Sequence, residues 1–344
     1  MNATQASTWM YREAAQAPEA IREQLQVNAA RVARLAERLR QAPPRAVVTC
    51  ARGSSDHAAT FARYLIETRL GLLTSSAAPS VSSVYDAQPD LAGAVVLAIS
   101  QSGASPDLLA SVSSARAAGA RIVALVNAED SPLAQLADDL IPLCAGVERS
   151  VAATKSYIAS LSAIVHLVAS WSRDEQLTGA LQQAPELLAR AWQLDWSAAV
   201  THLTSATNLY VIGRGLGLAI AQEAALKFKE TCGLHAEAVS AAELRHGPMA
   251  LVRAGFPLLI FTQNDESRAG VAQLATELAA QGADVLVAGA AAAPATLLPT
   301  VAAHPVIEPL LFAQSFYRMV NALSLARARD PDRPPHLHKV TETL

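Results

Sequence analysis

The sequence predicts an α/β protein of two parallel-sheet units in tandem, and three observations carry that expectation. Short, uniformly apolar runs alternate with helical stretches, and a strand apolar on both faces belongs in a parallel sheet covered by helices on each side, a three-layer α/β/α sandwich. The second half repeats the first. Arg52-Gly53 and Arg214-Gly215 stand about 162 residues apart, as do Ser100-Gln101 and Thr262-Gln263. Finally, 344 residues with 51% hydrophobic side chains are enough for two ordinary cores.

The elements follow in order. Residues 10–42 read as helix, with Ile21, Leu25, Val32, Leu35 and Leu39 at near-helical spacing and Pro43-Pro44 as the stop. Residues 46–50 form a first strand that closes at Arg52-Gly53-Ser54-Ser55, and a helix covers 57–70. A strand at 94–99, a helix near 105–118 and a strand at 121–126 come next, then helical patterns over 153–171 and 178–203. In the second copy a strand at 208–212 runs into Gly213-Arg214-Gly215, and one at 256–261 into Thr262-Gln263-Asn264-Asp265. A third strand follows Gly282 as one follows Gly119 in the first copy. The expected spans are a helical segment over 1–44, a first unit over 45–195, a second over 196–330 and a tail over 331–344. Pro331, Pro334 and Pro335 keep that tail from becoming helix.

Composition removes several classes of function. Lys+Arg 27 against Asp+Glu 30 gives a net charge of -3, so the basic surplus of a nucleic-acid binder is missing. The high apolar share excludes intrinsic disorder. The longest weakly polar stretch, residues 285–303, is mostly alanine and holds Pro294 and Pro299, and residues 1–13 lack a signal pattern, so no membrane partner is expected. Cys50, Cys144 and Cys232 are far apart with no CxxC pair, as expected for reduced thiols in a cytoplasmic protein. The H-x-H pattern of His336-Leu337-His338 does not by itself make a metal site, and neither metal nor cofactor is expected. Lysine occurs only at Lys155, Lys227, Lys229 and Lys339. Where arginine serves as the general cation, retained lysines mark positions that need a primary amine, since guanidinium cannot form an imine.

Two stretches carry chemistry. Ser100-Gln101-Ser102-Gly103-Ala104-Ser105 ends an apolar strand and opens a helix, the place where parallel sheets bind ligands. Helix N–H groups, a close-approach glycine and three hydroxyls make an anion site, most simply for phosphate; alone, the run reads sooner as a serine-rich helix cap, and the comparison with the second copy decides. The second copy has Asp265 in this loop, so only the first is expected to hold phosphate. Residues 213–217 invite a dinucleotide reading, but Leu218 stands where the third glycine should be, and no strand ending in an acid is visible about twenty residues on. On a helix, Glu223, Lys227 and Glu230 fall at i, i+4 and i+7 on one face; taken alone they read sooner as solvated ion pairs. Glu243 and His246-Gly247-Pro248 follow in a loop.

Six blocks in order now resemble one family. They are Ala-Arg-Gly-Ser-Ser (51–55), Ser-Gln-Ser-Gly (100–103), Val-Ala-Ala-Thr-Lys (151–155), Glu-Ala-Ala-Leu-Lys-Phe-Lys-Glu (223–230), Glu-Leu-Arg-His-Gly-Pro (243–248) and Leu-His-Lys-Val-Thr (337–341). The sequence is similar to the isomerase half of glucosamine-6-phosphate synthase, built from two sugar isomerase (SIS) domains, along essentially its whole length. By that resemblance Ser54, Ser55, Ser100, Gln101, Ser102 and Ser105, with Val151 and Ala152, hold the sugar phosphate. Glu230 moves a proton between C1 and C2, and His246, supplied by the neighbouring subunit of a homodimer, assists ring opening. Lys339 closes the site and reacts with the ketose carbonyl, while Glu223 and Lys227 line the pocket. Arg52 and Ala153 depart from the synthase, which has cysteine and serine there.

The synthase also owns a glutaminase domain with an N-terminal cysteine nucleophile. Here Asn2 follows Met1 and the first cysteine is Cys50, so no such domain is expected. The remaining chemistry resembles the SIS-type glucosamine-6-phosphate deaminases, which turn glucosamine 6-phosphate and water into fructose 6-phosphate and ammonia. The alternatives are an aldose–ketose isomerase, a deaminase or deglycase of another 6-phosphosugar amine, or a non-catalytic sugar-phosphate sensor.

Overall fold

A computed structural model describes residues 5–87, 89–291 and 294–339. Val340 and Thr341, the end of the last matched block, lie outside the described residues. Two five-stranded sheets form, and every pairing in them is parallel. The first is built from β1 (Val47–Cys50), β2 (Thr74–Ser76), β3 (Val95–Ser100), β4 (Arg121–Val126) and β5 (Asp139–Pro142), in the order β2-β1-β3-β4-β5. The second has β6 (Asn208–Gly213), β7 (His235–Ser240), β8 (Pro257–Thr262), β9 (Asp284–Gly289) and β10 (Thr296–Leu298), in the order β10-β9-β8-β6-β7. β3 is buried along its whole length and β4 at all but its first residue, as a doubly covered parallel strand requires.

Two compact units hold these sheets. One takes in Glu19–Glu148, Lys155–Gln183 and the segment starting at His338; the other takes in the chain up to Pro18, Arg149–Thr154 and Ala184–Leu337. They do not follow single sequence spans. Within the first unit Gln24 and Asn28, on the long helix Ala17–Gln41, bond the carbonyls of Leu143 and Pro142, which ties that helix to the first sheet. Within the second, Gln314 bonds the carbonyl of Ala14, which explains why the N-terminal helix Trp9–Ala15 belongs there.

The helix expected over 10–42 is two helices, Trp9–Ala15 and Ala17–Gln41. Pro18 has no N–H to give and starts a new first turn, where none is needed. The stretch 178–203 likewise divides into Glu175–Gln182, Ala184–Trp192 and Ser197–Leu203, with Pro185 opening the middle helix. β2, β5, β7 and β10 are additional to the expected strands; β2, β5, β7 and β10 all lie at sheet edges. β7 does follow residues 213–217 at about the distance a dinucleotide fold needs, but not as the acid-ended strand that fingerprint requires. It ends in Ser240 rather than an acid, so the fingerprint still fails.

The tandem repeat is visible in backbone detail. Gly53 (φ 56°, ψ −130°) and Gly215 (φ 57°, ψ −129°) adopt one conformation that side chains disfavour, each opening the helix after the first strand of its sheet. Among the described residues no helix is long and apolar enough to cross a membrane. Cys50 and Cys232 are buried and Cys144 half-buried, all as free thiols. Burial pushes Cys50 up to about 12 and Cys144 and Cys232 up to about 11.

Candidate active site

In the first unit, β1 and β3 are parallel neighbours, with Cys50 paired to Ala98. The turns leaving their C-terminal ends therefore lie side by side. Ser54 and Ser55 are the first two residues of the helix Ser54–Leu70, where the N–H groups lack helical partners. The second turn is shaped by Ser100, whose Oγ accepts the Gly103 N–H at 2.9 Å, and by Gly103 itself at φ +62°. A Cβ on Gly103 would collide with the Ser131 side chain, so only glycine fits. Ser105 is the N-cap of the helix Pro106–Ala117, yet its hydroxyl caps no N–H. Gln101, Ser102 and Ser105 are half-buried. Six of the eight expected phosphate residues thus sit on two adjacent turns, at a pair of helix N-termini whose partial positive charge favours an anion.

The tail reaches this same unit. Lys339 Nζ lies 3.2 Å from Glu148 Oε2, and the Glu148 side chain is fully buried. The same oxygen accepts the Ser156 hydroxyl at 2.7 Å, in the first turn of the helix Lys155–Ser172. Lys155 is itself buried. Val151 and Ala152 belong to the other unit, where the Val151 N–H donates to the Asp332 carbonyl at 3.3 Å.

In the second unit the helix Leu216–Cys232 presents Glu223, Lys227 and Glu230 together. Lys227 Nζ lies 2.7 Å from Glu230 Oε2 and 3.2 Å from Glu223 Oε1, and Tyr317 donates its phenol to Glu223 Oε1 at 2.9 Å. Glu223 and Lys227 are fully buried, whereas Glu230 keeps 18% of its side chain exposed. Of the three, only Glu230 can meet a solute, so the pocket-lining role implied for Glu223 and Lys227 becomes one of holding Glu230 from behind. Burial works to lower the Lys227 pKa, but the two carboxylates outweigh it and hold the amine above the ordinary lysine range. Such an ammonium is a fixed charge and not a nucleophile. His246 ends a short 3-10 turn, Glu243–His246, and is exposed with no hydrogen bond or ion pair among the described residues.

The second copy's turn is occupied by its own chain. Glu308 accepts the Asn264 N–H at 2.6 Å, and Asp265 accepts both the Ser267 N–H at 2.9 Å and the Ser267 hydroxyl at 2.5 Å. Burial raises the Glu308 pKa against the pull of the Asn264 and Ala303 N–H groups. Carboxylates thus sit where a free anion would. Among the described residues no group of three or more His, Cys, Asp or Glu is arranged to hold a metal ion.

Sequence reasoning missed Glu148, Tyr317 and Asp107. Glu148 had a signal, its place three residues ahead of the Val-Ala-Ala-Thr-Lys block; Tyr317, 94 residues from Glu223, had none.

Paired helix N-termini at the strand ends of a parallel sheet, repeated in tandem, define a duplicated α/β protein of the ligand-binding kind, and the SIS domain family matches residues 39–170 and 202–290. The chain belongs to that family. It is 34% identical over 312 residues to the glutamine–fructose-6-phosphate aminotransferase (isomerizing) of Aeropyrum pernix, covering 83% of this chain and 49% of that protein. The chain thus spans about half the length of the curated relatives it matches. A solved structure from Silicibacter pomeroyi DSS-3, assigned as a phosphosugar isomerase, superposes with TM-score 0.91 at 45% identity, over 94% of this chain and all of that one. The C-terminal domain of glucosamine-fructose-6-phosphate aminotransferase from Francisella tularensis gives TM-score 0.86 at 25% identity, over 97% and 100%.

Proposed function

We propose that this protein is a phosphosugar isomerase that works as a glucosamine-6-phosphate deaminase. The observation that carries the reading is Glu230, a carboxylate that keeps part of its side chain open to a solute and is held by a buried ammonium, a suitable base for a proton beside a carbonyl. The named relatives, an isomerizing aminotransferase and a phosphosugar isomerase, support a sugar phosphate as substrate. The turns at residues 54–55 and 100–105 take its phosphate. His246 of a second subunit assists ring opening, which exposes the C1 aldehyde. Glu230 takes the C2 proton and returns one to C1, so C1 becomes a hydroxymethyl group and C2 an imine. Water adds to the imine carbon and ammonia leaves, giving fructose 6-phosphate. Lys339 closes over the sugar, and its amine adds reversibly to the C2 carbonyl of the ketose, expelling water to form an imine that water hydrolyses back to ketone and free amine.

Incubation with a panel of amino and neutral 6-phosphosugars, reading ammonia and ketose phosphate, tests the proposal. Ammonia and fructose 6-phosphate in equal amounts from glucosamine 6-phosphate are expected. Ketose without ammonia from a neutral sugar indicates a plain isomerase, and no turnover on any member overturns the enzyme reading.

The phosphate assignment has its own test. Ser102→Asp places a carboxylate against a dianion and is expected to raise KM by about 100-fold or more, since each like-charge contact at a desolvated site costs several kcal/mol. Asn264→Asp in the occupied turn is expected to leave KM within about twofold, being a surface change away from any ligand. Equal damage from both, measured by steady-state kinetics, refutes a single phosphate site.

A further inference from the structure

Arg52 stands where the synthase has cysteine, and nothing in the proposed reaction uses it. Its guanidinium closes on one buried carboxylate. Nε donates to Asp107 Oδ2 at 2.7 Å and an Nη lies 2.6 Å from the same oxygen, while Asp107 Oδ1 accepts the Leu108 N–H at 2.8 Å. Asp107 is 1% exposed and sits in the first turn of the helix that follows the serine turn; Arg52 is 53% exposed and immediately precedes Gly53 and Ser54. The pair therefore spans the two turns to which the phosphate is assigned.

A second carboxylate is close. Asp56, in the first turn of the helix Ser54–Leu70, has its pKa raised by burial and pulled back by His57 and Arg52. Two acids, Asp107 and Asp56, thus flank turns proposed to take a dianion, and unbalanced they would repel it. Arg52 touches one of them along a single edge of its guanidinium, and a guanidinium has five N–H donors in a fixed fork.

We propose that Arg52 is a positioning residue for the substrate phosphate: it cancels the Asp107 charge, fixes the spacing of the two turns, and leaves its outer edge free to face the anion. The inference rests on the phosphate reading of the serine turn. It makes this chain differ from a cysteine-bearing relative in ground-state binding of the phosphate rather than in proton transfer.

The test uses the full-length protein with glucosamine 6-phosphate as substrate and inorganic phosphate as competitive probe. Arg52→Ala is expected to raise KM, and the inhibition constant for phosphate, by about tenfold with most of kcat retained, the pattern of lost uniform binding. Arg52→Lys, which keeps charge but not the fork, should fall between. Adding Asp107→Asn to Arg52→Ala should recover most of the loss, because the uncompensated acid is gone. A purely structural strap predicts the opposite, with thermal stability falling and phosphate affinity unmoved in both single variants. Failure of the double variant to recover, or unchanged phosphate affinity in Arg52→Ala while Ser102→Asp abolishes binding, overturns the role of Arg52 alone. Unchanged affinity in Ser102→Asp as well overturns the phosphate site and this inference with it.

Discussion

Glu230→Gln is expected to lower kcat by at least about 100-fold, the usual lower range for removing a general base. The amide keeps the shape and can still accept from Lys227, so KM and the far-UV spectrum should change little. Lys227 retains Glu223 at 3.2 Å, which limits any loss of stability. Mixed with His246→Ala, itself inactive by the proposed reaction, the glutamine variant should regain part of its activity, since hybrid dimers assemble some sites with both groups intact. Near-normal kcat in Glu230→Gln sinks the proton-transfer assignment, and absence of complementation sinks the shared site.

The second large effect concerns stability. Lys227→Met should destabilise the fold by about 3–5 kcal/mol, because it takes the ammonium away from the fully buried Glu223 carboxylate, which also accepts the Tyr317 phenol. Adding Glu223→Gln should return a good part of that loss by removing the orphaned charge. Urea unfolding checks both, and a single-variant loss under about 1 kcal/mol rejects the buried-triad account. The pH dependence has a definite sign. A lysine whose pKa is raised on folding stabilises fully below its unfolded value of about 10.4, and that contribution is lost as pH rises through the folded value. The parent protein should therefore lose stability faster than Lys227→Met above about pH 10.4.

Much of this was legible in the sequence. Uniformly apolar β3 and β4 announce themselves because both faces are covered, and the serine turn is visible because hydroxyls and a glycine cluster at the end of such a strand. The edge strand β7, His235–Ser240, alternates exposed and buried residues with a glutamate inside, so composition alone does not separate it from a loop. Helical periodicity placed Glu223, Lys227 and Glu230 on one face but could not tell a solvated face from a buried one. That distinction depends on the helix Glu308–Ala326, which supplies Tyr317 from far along the chain. The Lys339–Glu148 pair, 191 residues apart, has no local trace either. The lysine count pointed to Lys339 and Lys227 alike, yet only one of them keeps an amine near solvent.

The carboxylate of Glu308 on the Asn264 N–H has a consequence for stoichiometry. A side chain held on its own backbone competes at an effective concentration that a dissolved metabolite at ordinary levels does not reach, in the manner of any tethered ligand. On the proposed phosphate reading, the second copy's turn is blocked by its own side chain, and the duplicated fold would offer one phosphate position per chain instead of two. Freed from holding a phosphate, that copy could change its residues without loss of affinity. The copy's other turn, at residues 213–215, opens the helix Leu216–Cys232 that carries the glutamate–lysine–glutamate row.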